Sequence, residues 1–161
     1  MSNMIIREIQ LKDNAQIEKV IKQTFLEVGL PLVGTAYEDK ETAKMYESYQ
    51  AKNEIYFVIE IHAEVQGGAG IKHLKDFEDD VCELQKMYFS SKIRGKGYGK
   101  IMIEKCLKSA KELGYKKCYL ESASILQTAI HIYEKYGFKH LDKPLGSTGH
   151  YSCGVWMIKE L

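Results

Sequence analysis

Proline is scarce, with two in 161 residues, and no apolar run approaches the ~20 residues a membrane-crossing helix requires. With 45% apolar and 28% charged residues alongside, disordered, collagen-like and low-complexity chains are excluded. Charge of one sign is missing too: 23 Lys and Arg against 22 Asp and Glu leave a formal +1. No global field recruits nucleic acid or anionic lipid, so any anion site is local. Charges at Arg7, Lys12 and Asp13 interrupt the amino-terminal segment before it can read as a secretion signal. The four cysteines (Cys82, Cys106, Cys118, Cys153) form no CxxC pair and no Cys/His cluster at zinc spacing. They read as small buried hydrophobes; the expectation is a cytoplasmic protein with neither disulfides nor a metal. A chain of this length buries roughly 70% of its unfolded surface around one core, so residues 1–161 are expected to form a single domain.

The β-prone run at 4–9 (MIIREI) is followed by Asp13 as a helix cap and by Ile17, Val20, Ile21 and Phe25 at helical spacing. A second, less regular helix is expected over 41–49. Residues 55–61 (IYFVIEI) and 65–74 read as a hairpin whose second arm is made bend-prone by Gly67, Gly68 and Gly70, and 81–89 (VCELQKMYF) as a further strand. Ile103, Leu107 and Ala110 mark a helix face that ends at Gly114, and 118–120 a short strand. Ile125, Ala129, Ile132, Tyr133 and Tyr136 mark another helix, stopped by Gly137; strands at 138–141 and 151–158 close the chain. The order β-α-α-β-β-β-α-β-α-β-β predicts an α/β (α+β) fold with a mixed sheet.

Between the strand at 81–89 and the next helix lies SSKIRGKGYGK (90–100), with glycines at alternate positions and four cations. Gly95, Gly97 and Gly99 let backbone N–H groups approach a ligand, and the following helix adds its unpaired amides and dipole. Lys92, Arg94, Lys96 and Lys100 supply charge, so a phosphate or pyrophosphate fits; a flexible turn on a solvated basic face is the bland alternative. Neither GxxxxGK[ST] nor GxGxxG is present, which removes the common nucleotide loops.

RGKGYG at 94–99 resembles the [RQ]xxGx[GA] signature of the GNAT superfamily of acyl-CoA-dependent N-acyltransferases. ELQKMYF at 83–89 is similar to that family's ELxxLYV strand, and AIHIYEKYGF at 129–138 to its AxxLYxxxGF segment. The chain departs from the pattern at Leu126, where many members carry an asparagine that contacts the cofactor, and at Ile132, which replaces a leucine. The resemblance implies a mixed, mostly antiparallel sheet of about seven strands with about four flanking helices. It implies acetyl-CoA as donor, no metal, and direct acetyl transfer to a primary amine of a small molecule or peptide in a ternary complex. The implied donor contacts are Ile93, Arg94, Gly95, Lys96, Gly97, Tyr98, Gly99 and Lys100 around the pyrophosphate, Met87, Tyr88 and Phe89 along the pantetheine arm, and Tyr133 at the thiol. The resemblance also implies a bulge in that strand, which leaves an amide, from Met87 or Tyr88, to hold the thioester oxygen.

An ammonium acceptor must lose a proton, and Glu83 is the first candidate base, with Glu121, His150 or water in reserve. Glu83 also reads as an outward salt-bridge partner, and His131 as solvent-facing. Tyr133 occupies the family's general-acid position for the leaving thiolate, and also lies on a stripe that packs a core. Cys153 raises the alternative of a covalent acyl-enzyme. His150 and Tyr151, in a glycine-flanked loop, are expected to face the acceptor, with Tyr37, Glu38, Asp39, Glu41, Tyr46 and Tyr49 nearby or merely on a wet surface. A non-catalytic acyl-CoA sensor is the competing function; nucleic-acid and membrane partners are not expected, and the chain is a monomer or homodimer.

Overall fold

The computed structural model describes residues 3–161. Met1 and Ser2, at the start of the segment read as lacking a secretion signal, lie outside the described residues. Seven strands form one sheet: β1 (Met4–Glu8), β2 (Ile55–Ile61), β3 (Glu64–His73), β4 (Val81–Phe89), β5 (Lys117–Ala123), β6 (Lys139–Leu141) and β7 (Gly154–Glu160). Their spatial order is β1-β2-β3-β4-β5-β7-β6, antiparallel throughout except at β4–β5, which run parallel. The helices are α1 (Asn14–Val28), α2 (Met45–Ser48), α3 (Tyr98–Glu112) and α4 (Gln127–Lys135). This is the element order read from the sequence.

Alternation along β2 assigns the two faces. Tyr56 and Val58 pack with Ile17, Val20, Ile21 and Phe25 of α1, while Phe57 and Ile59 pack with Met102, Ile103, Cys106 and Ala110 of α3. Each fully buried Ile or Leu in these clusters contributes ~2 kcal/mol, so the sheet is held from both sides. Gly29, at φ +78°, ends α1 by donating its amide to the Phe25 carbonyl at 3.0 Å.

Several local expectations need correction. Asp13 does not cap α1 through its side chain: the carboxylate instead accepts from the Gln10 amide at 2.8 Å and pairs with Arg7 at 2.7 Å. The helix expected over 41–49 divides into a 3-10 turn (Lys40–Ala43) and the single-turn α2, because Lys44 leaves the helical region and Thr42 donates its hydroxyl to the Ala36 carbonyl. α4 begins at Gln127, leaving Ile125 57% exposed. Tyr151 precedes β7 rather than lying in it, and is 75% exposed. Three cysteines are buried as expected, but Cys153 is only half-buried.

Candidate active site

β4 and β5 pair over only three steps, Val81 with Lys117, Cys82 with Cys118 and Glu83 with Tyr119, and then diverge. The divergence coincides with a bulge. Gly68 and Gly70 of β3 face Tyr88 and Gln85 of β4, so two steps on one strand match three on the other. Lys86 absorbs the extra residue at φ +49°, and its carbonyl accepts a 2.7 Å hydrogen bond from the Tyr56 hydroxyl. Beyond the last pair, the cleft is lined by Leu84, Met87 and Tyr88 on one side and Leu120 and Glu121 on the other, with Glu83, Tyr133, Leu126, His150 and Cys153 completing it.

Glu83 is 5% exposed and faces this cleft, so the outward salt-bridge reading fails. Its Oε1 accepts from Gln85 Nε2 at 2.7 Å, and Gln85 Oε1 accepts from the Tyr49 hydroxyl at 2.6 Å. Burial pushes the Glu83 carboxyl up to about 7; the Gln85 donor opposes this, and the Glu121 carboxylate adds to it. A carboxyl with that value exchanges protons near neutrality. Glu121 is tied down differently, accepting from the Tyr119 hydroxyl at 2.6 Å and from the Thr148 hydroxyl at 2.7 Å. Thr148 thereby anchors the glycine-flanked loop over β5.

His150 lines the cleft with Nε2 2.7 Å from Asp39, whose carboxylate also meets Lys86 Nζ at 3.2 Å. Burial acts to lower the imidazole's pKa, but Asp39 outweighs it and the net shift is upward. Tyr151 is not brought into the cleft; its ring lies over Gly34, where a Cβ would come within 2.6 Å of it. His131 is 71% exposed at the side chain and pairs with Glu134, as its solvent-facing reading predicts. Burial, then the nearby carboxylates of Glu121, Glu83 and Asp39, push the Cys153 thiol up to about 12.

Tyr133 is 7% exposed, edge-on to Phe138, and its ring also packs in the α3-side core. Its hydroxyl makes no protein hydrogen bond among the described residues, and no buried side-chain polar atom there is left unpaired, so the phenol opens onto the cleft. Desolvation raises its pKa well above that of a free phenol, keeping the proton available.

After β4, the 90–97 turn leads into α3. Gly95 (φ +74°) and Gly97 (φ +89°, the N-cap) occupy left-handed backbone, with no atom within 4 Å of where a Cβ would sit. The amides of Arg94, Gly95, Lys96 and Gly97 make no backbone hydrogen bond among the described residues, and the first turn of α3 at Tyr98, Gly99 and Lys100 adds unpaired donors. The Ile93 amide, by contrast, already donates to the Ser90 carbonyl at 3.0 Å, and its side chain is buried. Arg94 turns away: Nε donates to the Phe89 carbonyl at 2.8 Å and the guanidinium pairs with Glu27 at 3.0 Å. Lys92, Lys96 and Lys100 are exposed.

Gln85 and Tyr56 were missed by sequence reading. Gln85 had a signal, since it stands two residues from Glu83 on one strand and so shares its face. Tyr56 had none, because its partner is a carbonyl two strands away.

A bulged strand diverging from a parallel neighbour, with a free-amide turn at a helix start, is the arrangement that the resemblance to the acyl-CoA-dependent acyltransferases implies. The chain belongs to the acetyltransferase (GNAT) family, whose model matches residues 21–138. It is 43% identical over 158 residues to the uncharacterized N-acetyltransferase YjgM of Escherichia coli K12, covering 98% of this chain and 95% of that protein. Its fold matches a GNAT-family acetyltransferase from Staphylococcus aureus Mu50 with a TM-score of 0.83 at 16% identity, covering 98% of both chains. It also matches a phosphinothricin acetyltransferase from Sinorhizobium meliloti, solved in complex with acetyl-CoA, with a TM-score of 0.79 at 19% identity, covering 98% of this chain and 88% of that one. The expected fold class and family are thus found. No helix among the described residues is long and apolar enough to cross a membrane.

Proposed function

We propose that the whole chain acts as one domain that transfers the acetyl group of acetyl-CoA directly to a primary amine of a small molecule or peptide. The observation that carries this reading is the separation of β4 from β5 beyond Glu83, which opens a cleft lined by a buried carboxyl and a phenol, on the strand that runs on into the bare-amide turn. The turn suits the donor because Gly95 and Gly97 leave open a space that side chains would fill, and the amides of residues 94–97 make no backbone hydrogen bond among the described residues. Lys96 and Lys100 add charge, while Arg94 shapes the turn by bracing it against Phe89 and Glu27. Bound there, acetyl-CoA supplies an acetyl thioester and a thiolate leaving group.

Glu83 removes a proton from the acceptor ammonium, directly or through water, with Gln85 and Tyr49 fixing its orientation. An amide at Met87 or Tyr88, on the edge of β4 that β5 does not cover, stabilises negative charge developing on the carbonyl oxygen. As the amine nitrogen bonds to the carbonyl carbon and the carbon–sulfur bond breaks, Tyr133 gives its proton to the sulfur, and the second proton lost by the nitrogen restores the phenol through solvent. His150, on the acceptor side, is held by Asp39 and borders the amine's path. Cys153 is a poor nucleophile, since its thiol remains protonated, and no covalent acyl-enzyme is required.

Release of free thiol from acetyl-CoA, measured across a panel of amines, tests this reading. Amine-dependent release supports it; tight acetyl-CoA binding with no release from any amine would favour the sensor function instead.

A further inference from the structure

We propose that Glu121, His150 and Cys153 form a site for one divalent transition-metal ion of the zinc type. A carboxylate oxygen, a ring nitrogen and a sulfur from these residues all lie within 4.8 Å of one another. Zinc bonds of ~2.0–2.3 Å in tetrahedral array bring ligand atoms to about 3.5 Å, so the three need to close by about an ångström, within reach of side-chain rotation. An oxygen, nitrogen and sulfur set suits zinc or cobalt rather than magnesium or calcium. Three protein ligands leave a fourth position open to water or a small ligand.

The surroundings favour a cation as well. Asp39, and Glu83 when ionised, add negative charge beside the trio, opposed by Lys86 and by His150 when protonated. These carboxylates disfavour a free thiolate and for the same reason attract a dication. Asp39, 2.7 Å from His150 Nε2, supplies the carboxylate that commonly orients a metal-bound imidazole from behind. Binding is balanced in charge and atoms: the Cys153 S–H bond breaks, an imidazolium at His150 gives up its extra proton, both protons pass to solvent, and sulfur–metal and nitrogen–metal bonds form. Thiolate and Glu121 carboxylate then neutralise the dication, with His150 uncharged. Sequence spacing hid the trio because Glu121 comes from β5 and the other two from the loop before β7.

If the proposed acyl transfer is correct, on which this last consequence rests, an ion here occupies the acceptor end of the cleft and obstructs the amine but not acetyl-CoA. Cobalt(II) added to the reduced full-length chain tests the site itself. A thiolate-to-cobalt charge-transfer band saturating at a single ion per chain, displaced by zinc and lost in Cys153→Ser, is expected. Circular dichroism and coenzyme A binding of that variant confirm that it is folded. Asp39→Asn should weaken cobalt binding by about tenfold or more. Absence of the band, or a band that survives Cys153→Ser through Cys82, Cys106 or Cys118, would overturn the site. With the band intact, zinc that competes with acetyl-CoA rather than the amine would overturn only the acceptor-end assignment.

Discussion

The Tyr56 hydroxyl reaches across β3 to donate a 2.7 Å hydrogen bond to the Lys86 carbonyl, at the bulge where β4 begins to leave β5. The ring can cross only because β3 carries glycine below it. A Cβ on Gly68 would lie 2.6 Å from the Tyr56 ring, and one on Gly70 2.5 Å from it. Those glycines, read from sequence as bend-prone backbone, are space for an aromatic strut. Tyr56→Phe should cost ~1 kcal/mol in urea unfolding, the scale of one hydrogen bond. Gly70→Ala should cost more, ~1–3 kcal/mol, because the ring or the strand must shift. Equal stability of Gly70→Ala and the parent would remove the strut.

Negative charge at the turn should repel the donor. Gly97→Glu is expected to weaken coenzyme A binding strongly by calorimetry, and the φ of +89° makes Gly97→Ala the necessary control. That control carries ~1–2 kcal/mol of backbone strain without the charge. Arg94→Glu should also weaken binding, by releasing the turn from Phe89 and Glu27 and adding a negative charge. Unchanged affinity in Gly97→Glu would remove the turn from the donor site.

Tyr133→Phe deletes an open hydroxyl and little packing, so stability should change slightly. Maximal rate should fall by about 100-fold, with acetyl-CoA binding nearly preserved, since the proton is needed only as the thiolate leaves. A rate within about twofold of the parent would reduce Tyr133 to its place in the core beside Phe138.

Glu83 gives a pH dependence of definite sign. Its folded value of about 7 exceeds the ordinary 4.5, so between these the folded chain keeps a proton the unfolded chain has lost. Stability should therefore fall as pH rises through that window and level off above it, by about 3 kcal/mol in all. Glu121, His150 and Lys86 face the same carboxyl, and Gln85 bonds it. Glu83→Gln should be more stable than the parent at pH 8 and equal to it below pH ~5. The parent's rate should rise with pH through about 7, a limb that Glu83→Gln loses along with ~100-fold in activity. A parent profile flat between pH 5 and 8 would assign the base elsewhere.

Much of this was legible along the chain. Helix and strand periods placed α1, α3 and β2 because each repeats within a few residues, and glycine at 95 and 97 marked the turn because positive φ excludes most side chains. The 41–49 helix was misread because its apolar spacing is helical while Thr42 bonds outside the element, to Ala36. Tyr151 was placed at the acceptor by its neighbourhood to His150, but adjacent residues in an irregular loop point apart: one meets Asp39, the other covers Gly34.

Sequence by itself determined the order of elements, the faces that become core, and the bare-amide turn, since these follow from periodicity and backbone freedom over short stretches. Only the tertiary structure decided the chemistry of the cleft. Asp39 lies 111 residues from His150, and Glu83 owes its raised pKa first to burial, both settled when strands and loops from distant parts of the chain close around one opening.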